Sequence, residues 1–257
     1  MGKHQIWDFN MKNIIYTIFY CCLTGIATAQ TQFISIGKVT YEKKVNQHKP
    51  YEEDKDNIWN AERMKIIPKF VSDFYELNFT DQKSVYRLQK ENPNNKYMMW
   101  GGKPSESDAI VKDLQHHTIS SQKDIFENTY LIKDSSRNFE WKIADETREI
   151  AGFECRKAVT KICDSVYVVA FYTDQIPVSA GPESFGGLPG LILGLAVPRL
   201  YTTWFATKLE LVTPTVAQLN PAQKGKKVTM AQLEAELKKG LGDWGKDGAT
   251  RIWISQL

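Results

Sequence analysis

Apolar and polar residues alternate at a period of two through much of this 257-residue chain, with turn-forming residues breaking the pattern at short intervals. Only a strand that buries one face and shows the other to water has that period. Phe139, Trp141 and Ile143 alternate with Glu140, Lys142 and Ala144. Tyr75, Leu77 and Phe79 share a face, Asp81-Gln82 turns the chain, and Tyr86 and Leu88 return, which predicts a hairpin. Residues 33–41, 125–133, 148–162 and 203–212 read as further strands, the last with Phe205, Leu209 and Leu211 on one face. Residues 166–173 are apolar on both faces and predict a central strand. The polar stretch 46–60 and the Asn-, Pro-, Gly- and Ser-rich stretch 91–108 read as loops. One helix stands out: Thr229 and Gln232 form a capping-box pattern, Met230, Leu233, Leu237 and Leu241 follow at helical spacing, and Gly240 offers a stop. The expectation is a mainly β fold. Its form is an antiparallel meander making an open, bowl-like sheet or half-barrel, with one or two helices packed on it.

The composition is that of a globular protein, 42% hydrophobic and 25% charged, so disordered and coiled-coil classes are excluded. Lys+Arg 33 nearly balances Asp+Glu 30, and no basic run exceeds Lys224-Gly225-Lys226-Lys227, which argues against nucleic acid as a partner. Lys12 precedes an apolar run over 14–26, and Ala27-Thr28-Ala29 follows it. This is the pattern of a secretory leader cleaved after Ala29, with Met11 as the true start. Residues 30–257 are then a single exported β domain, periplasmic or associated with the outer membrane. Cys21 and Cys22 sit inside the apolar run, without the small preceding residue that a lipid anchor wants. No later stretch is long and apolar enough to span a bilayer as a helix.

The stretch Ile176-Pro177-Val178-Ser179-Ala180-Gly181-Pro182-Glu183-Ser184-Phe185-Gly186-Gly187-Leu188-Pro189-Gly190-Leu191-Ile192-Leu193 is the most distinctive. Pro189-Gly190 predicts a type II turn, and Gly186-Gly187 a bend or a close backbone approach. Leu188, Leu191, Ile192, Leu193 and Leu195 call for burial worth about 1.5–3 kcal/mol each. The segment is either a loop folded over the sheet that feeds a buried strand, or a docking edge or ligand lid at the mouth of a bowl.

With Trp141-Lys142-Ile143 and residues 150–158 before it, this stretch resembles the GLPGLI family, exported Bacteroidota proteins of largely unassigned function. The six-residue run Gly187, Leu188, Pro189, Gly190, Leu191 and Ile192 carries the resemblance. It implies export, an open bowl-shaped sheet seen also in a domain fused to a glycan-processing enzyme, and association with outer-membrane TonB-dependent transporters. No catalytic residues come with it. Ala196-Val197-Pro198 stands where acidic residues are common in the family.

Cys155 and Cys163 are candidates for a disulfide in an oxidising compartment. If Asp164-Ser165 is the turn, both lie on one strand about 26 Å apart at about 3.3 Å per residue, beyond the roughly 7 Å a bridge allows. A turn nearer Val159-Thr160 would permit it. His116-His117 lacks metal-ligand spacing, Glu52-Glu53-Asp54 with Asp56 lacks the form of a calcium loop, and no metal or cofactor is called for. No nucleophile elbow, metalloprotease helix, phosphate loop or dinucleotide fingerprint occurs, so no catalytic set can be assigned. Tyr97, Met98, Met99 and Trp100, apolar residues inside a polar loop, are the candidate contact surface. An exported, non-enzymatic accessory protein that binds an envelope component is therefore expected. The alternatives are a carrier of a lipid or other apolar ligand in a half-barrel, which needs a deep apolar cavity, and a peptide- or glycan-acting hydrolase, which needs a polar cleft with converging ionisable groups.

Overall fold

The computed structural model describes residues 33–54, 57–97, 103–163 and 165–257. The expected leader with Met11, Cys21, Cys22 and Ala29 lies outside the described residues, as do Met98, Met99, Trp100 and the turn position Asp164. Residues 33–257 form one compact unit.

The strands are β1 (Gly37–Asn46), β2 (Phe70–Phe79), β3 (Lys83–Lys90), β4 (Ala109–Asp113), β5 (Thr118–Ile125), β6 (Asn128–Ser135), β7 (Lys142–Ile150), β8 (Phe153–Ile162), β9 (Val166–Thr173), β10 (Leu191–Val197), β11 (Thr202–Glu210) and β12 (Lys226–Val228). Helix α1 (Ile58–Ile66) follows β1, α2 (Val216–Leu219) precedes β12, and α3 (Met230–Leu241) and α4 (Gly245–Ser255) end the chain. The strands make one 12-stranded sheet in the order β12-β6-β5-β4-β3-β2-β1-β11-β10-β9-β8-β7. It is open, because β12 and β7 are its two edges, and every pairing is antiparallel except β12 with β6. β1 is the joint between two meanders. From it β2 to β6 run outward by hairpins; the chain then crosses to the far edge, and β7 to β11 step back in until β11 pairs with β1, Trp204 opposite Lys43.

One face of the sheet is covered. Val39 and Tyr41 on β1, Leu77 and Phe79 on β2, Tyr86 on β3 and Trp204 on β11 are buried there beneath the 174–190 loop, which adds Ile176, Val178, Ala180, Phe185 and Leu188. The Tyr41 hydroxyl donates to the Ile192 carbonyl (2.6 Å), tying the first strand to the segment beside that loop. At the β6 end a second cluster forms, where Leu233, Leu237 and Leu241 of α3 pack on Tyr130, Ile132 and Val228. The Thr229 cap and its reciprocal Gln232 bond are both made, as the sequence predicts.

The β2–β3 hairpin turns at the expected place, Thr80 Oγ1 accepting from Gln82 N and Lys83 N. Elsewhere boundaries move. The strand expected over 125–133 is β6, but it begins at Asn128, after a turn at Phe126-Glu127 that the sequence hides because Phe126 (φ 57°) occupies a conformation normally given to Gly or Asn. Residues 148–162 likewise split at Ala151-Gly152, both at positive φ, as a type I′ hairpin requires. Phe139 and Trp141 precede β7. That strand is an exposed edge with Ile143 facing water, and its charges Asp145, Glu146 and Arg148 discourage further pairing. The strand buried on both faces is β10; β9 leaves Tyr167 exposed. On β11 the covered residues are Thr202, Trp204 and Ala206, while Leu211 lies beyond the strand in water. Gly240 does not stop α3, which continues to Leu241. The stretch read as a loop over 46–60 contains the start of α1.

Candidate functional site

The motif stretch is core. Leu188 is buried, and Leu191, Ile192, Leu193 and Leu195 have no exposed surface at all. The expected type II turn is absent, since it would need positive φ at Gly190, and the positive φ here falls at Gly187 (+83°). Gly190 is glycine for another reason: a Cβ there would stand 2.0 Å from the Thr173 carbonyl oxygen on neighbouring β9.

Ahead of the motif, Glu183 fastens the loop to the sheet. Its backbone is left-handed (φ 53°), its side chain is buried, and Oε1 accepts from Lys43 Nζ (2.9 Å) and Trp204 Nε1 (3.2 Å). Lys43 lies over the rings of Tyr75 (5.3 Å) and Trp204 (5.1 Å). Burial alone would push the Glu183 carboxyl up, but Lys43 and Lys123 outweigh it and hold it below its usual range. Beneath lie Lys112, donating to the Phe185 carbonyl, and Lys123, donating to the Ser255 carbonyl (3.2 Å). Burial pushes Lys112 down to about 7 and lowers Lys123 too. These ionisable groups tie the loop and the C-terminal residues onto β1, β4 and β5.

Of the expected aromatic surface, Tyr97 is described. Its hydroxyl donates to the Asp73 carboxylate, which also accepts from Asn92 N (2.9 Å) and Asn95 Nδ2 (2.9 Å). Tyr97 is thus a loop anchor on β2. Cys155 is buried on β8, and burial pushes its thiol up to about 12; Cys163 follows the end of that strand and donates to Gln256 Oε1 (3.0 Å). The two cysteines are not joined to each other. His116 and His117 sit in the β4–β5 turn, and no metal-holding group of His, Cys, Asp and Glu occurs among the described residues.

A different place has the form of a contact site. Phe126, at the β5–β6 turn, and Trp244, at the α3–α4 junction, are 56% and 51% exposed. Their rings meet edge to face at 6.4 Å, and the Arg251 guanidinium lies over both, at 5.6 and 5.8 Å. Between them is a concavity of about 270 Å³ lined by Phe126, Tyr130, Glu236, Leu237, Gly240, Leu241 and Trp244. Glu236 on its rim pairs with Lys226 (2.5 Å). Sequence explains each wall: α3 is fixed by the leucines it buries on β6, which places Gly240 and Leu241 beside Phe126. A Cβ at Gly240 would meet nothing within 4 Å, so packing does not demand this helix-weakening glycine. It is one of the residues that line the concavity. Aromatic and Arg side chains around a pocket are the residue types that dominate binding energy at protein interfaces, and a bulky residue held at positive φ marks stored strain. Starting the strand at Ile125 concealed the site, because Phe126-Glu127 carries no turn signal in the sequence.

Residues 160–194 match a family described as a protein of unknown function (Porph_ging), a span that includes the motif run. A search of curated proteins gave no match. Among solved structures, PNGF-II resembles the chain with a TM-score of 0.51 at 16% identity, over 80% of this chain and 33% of that one. A second crystal form of PNGF-II gives 0.47 at 18% identity, covering 76% and 32%. MucB in complex with MucA(peri) gives 0.36 at 12% identity, covering 78% and 59%. The chain spans about a third of the PNGF-II chain it matches. At 16% identity the first PNGF-II likeness concerns the fold alone.

Proposed function

We propose that this chain is an exported, non-enzymatic binding protein of the cell envelope, of the GLPGLI type, and that it grips a partner protein at the Phe126–Trp244 concavity. The observation that carries the reading is that concavity: two half-exposed aromatics with an arginine over both rings, beside a pocket lined in part by a glycine that packing does not demand. Export after cleavage at Ala29 and an outer-membrane transporter as the partner class rest on the leader pattern and the family resemblance. Among the described residues no helix is long and apolar enough to cross a membrane.

The carrier alternative needs an apolar chamber, yet Tyr41, Phe185, Trp204, Leu191 and Leu195 fill the covered face. The hydrolase alternative has its best foothold in Asp108, whose carboxyl burial pushes up to about 6 in a polar groove shared with Glu106 and Arg87. There the Asp108 carboxylate already accepts from Asp124 N (2.8 Å).

A photo-cross-linking residue placed at Phe126 in cells tests the proposal. One discrete adduct with an envelope protein, lost when the cross-linker is moved to exposed Leu211, is the expected result. No adduct, or the same adducts from both positions, would count against it.

A further inference from the structure

A polar groove of about 430 Å³ lies between β3, β4, β5 and the segment that joins α2 to β12. Its floor is a row across three strands, with Arg87 opposite Ala109 and Ala109 opposite Gln122, about 4.8 Å apart at each step. Tyr86 and Ile110 belong to the covered core, so their chain neighbours Arg87 and Ala109 face the other side of the sheet. The short Ala109 side chain stands between two long ones. Hydrogen bonds fix the walls. Gln223 Nε2 donates to the carbonyls of Ala109 (3.1 Å) and Ser120 (3.0 Å), Lys224 N donates to Gln122 Oε1 (2.7 Å), and Gln122 Nε2 donates to the Ser107 carbonyl (2.9 Å).

The charges on this groove are not matched to one another. Arg87 pairs through Nε with Glu76 (2.7 Å), which does not line the groove. Among the described residues Glu106 makes no side-chain hydrogen bond or ion pair, and neither does the Lys224 ammonium. Two basic residues, Arg87 and Lys224, and two acidic ones, Glu106 and Asp108, thus line one cavity with no ion pair between them.

We infer that the groove binds a small zwitterion, an amino acid or short peptide with both termini free, its carboxylate against Arg87 and Lys224 and its ammonium against Glu106. The ligand must carry both signs. A lone anion would sit beside two carboxylates, and a metal ion or other lone cation beside a guanidinium and an ammonium, each at a Coulomb cost. None of the described lining residues is aromatic, so a nucleobase finds no ring to stack on. The volume falls within the range of about 300–1,000 Å³ typical of small-molecule sites. The groove shares no lining residue with the Phe126–Trp244 concavity, so either site can fail without the other.

NMR titration of the purified protein with L-alanyl-L-alanine, read at the backbone amides of Ser107, Ala109 and Lys224, tests the inference. The dipeptide binds with a Kd of about 1 mM or tighter, and N-acetylation or C-amidation each weakens it at least about tenfold. Glu106 and Lys224 are exposed, so Glu106→Gln and Lys224→Gln keep the fold and its melting. Arg87 is left in place because its loss would strand the buried Glu76. In Glu106→Gln the free and N-acetylated dipeptides bind alike, while the penalty for C-amidation persists. In Lys224→Gln the penalty for C-amidation shrinks and that for N-acetylation persists. No shift at these amides up to about 20 mM dipeptide would overturn the inference. So would equal binding of the free and blocked dipeptides, binding of acetate or methylammonium alone as tightly as the dipeptide, or an acetylation penalty that survives Glu106→Gln.

Discussion

The motif stretch 187–195 and helix α1 both carry large apolar residues, yet the protein uses them in opposite ways. Leu191, Ile192, Leu193 and Leu195 vanish into the core between β9 and β11, whereas Ile58, Trp59 and Ile66 are 76%, 81% and 74% exposed. The difference lies in what surrounds each. The motif enters a sheet on both sides, with the Glu183–Lys43 pair fixing its approach. Helix α1 stands between β1 and β2 in the chain, with Asn60, Ala61 and Met64 half-buried and no residue fully buried. The most recognisable apolar run is therefore structural, and the less noticeable one is available to a partner.

The largest effect that would separate them is Gly190→Val. A side chain there collides with the Thr173 carbonyl, so the variant should show no cooperative unfolding transition; near-normal melting would mean that β9 and β10 do not approach as closely as described. Next, Leu193→Ala should cost about 2–5 kcal/mol in urea unfolding, while Ile66→Ala should stay within about 0.5 kcal/mol. Equal losses would erase the contrast. The lysine beneath the motif loop adds a pH signature. Lys112 titrates near 7 in the folded protein against an ordinary 10.5, because it is buried. Between those values the unfolded chain binds the proton more, so this group makes stability rise with pH across that window. Lys112→Met should flatten the rise, and an unchanged profile would show that Lys112 is solvated. The smallest effect concerns caps. Thr229→Ala should lower global stability by about 1 kcal/mol, because α3 is part of the core. Asn57→Ala should speed amide exchange in α1 alone.

Period-two alternation made the mainly β class and the β2–β3 hairpin legible, and the Thr229 box with its leucine spacing made α3 legible. What failed was turn chemistry. Phe126 sits at positive φ without being Gly or Asn, so the β5–β6 turn, and the site built on it, looked like the first residues of a strand. Glu183 was invisible as an anchor because its partners Lys43 and Trp204 come from strands far away in sequence. Helix α1 was missed in part because its outward apolar face gives it a weak amphipathic signature against a polar, charged background.

The central claim is that recognition happens at the open concavity. The most direct test is recovery of envelope proteins on tagged wild-type protein and on Gly240→Leu, side by side in mild detergent. Gly240 has free space around it, so the leucine should fill the concavity while leaving melting equal or slightly higher. The account predicts a stoichiometric partner on the wild type and its loss on the variant. Equal recovery from both, at equal stability, would contradict it.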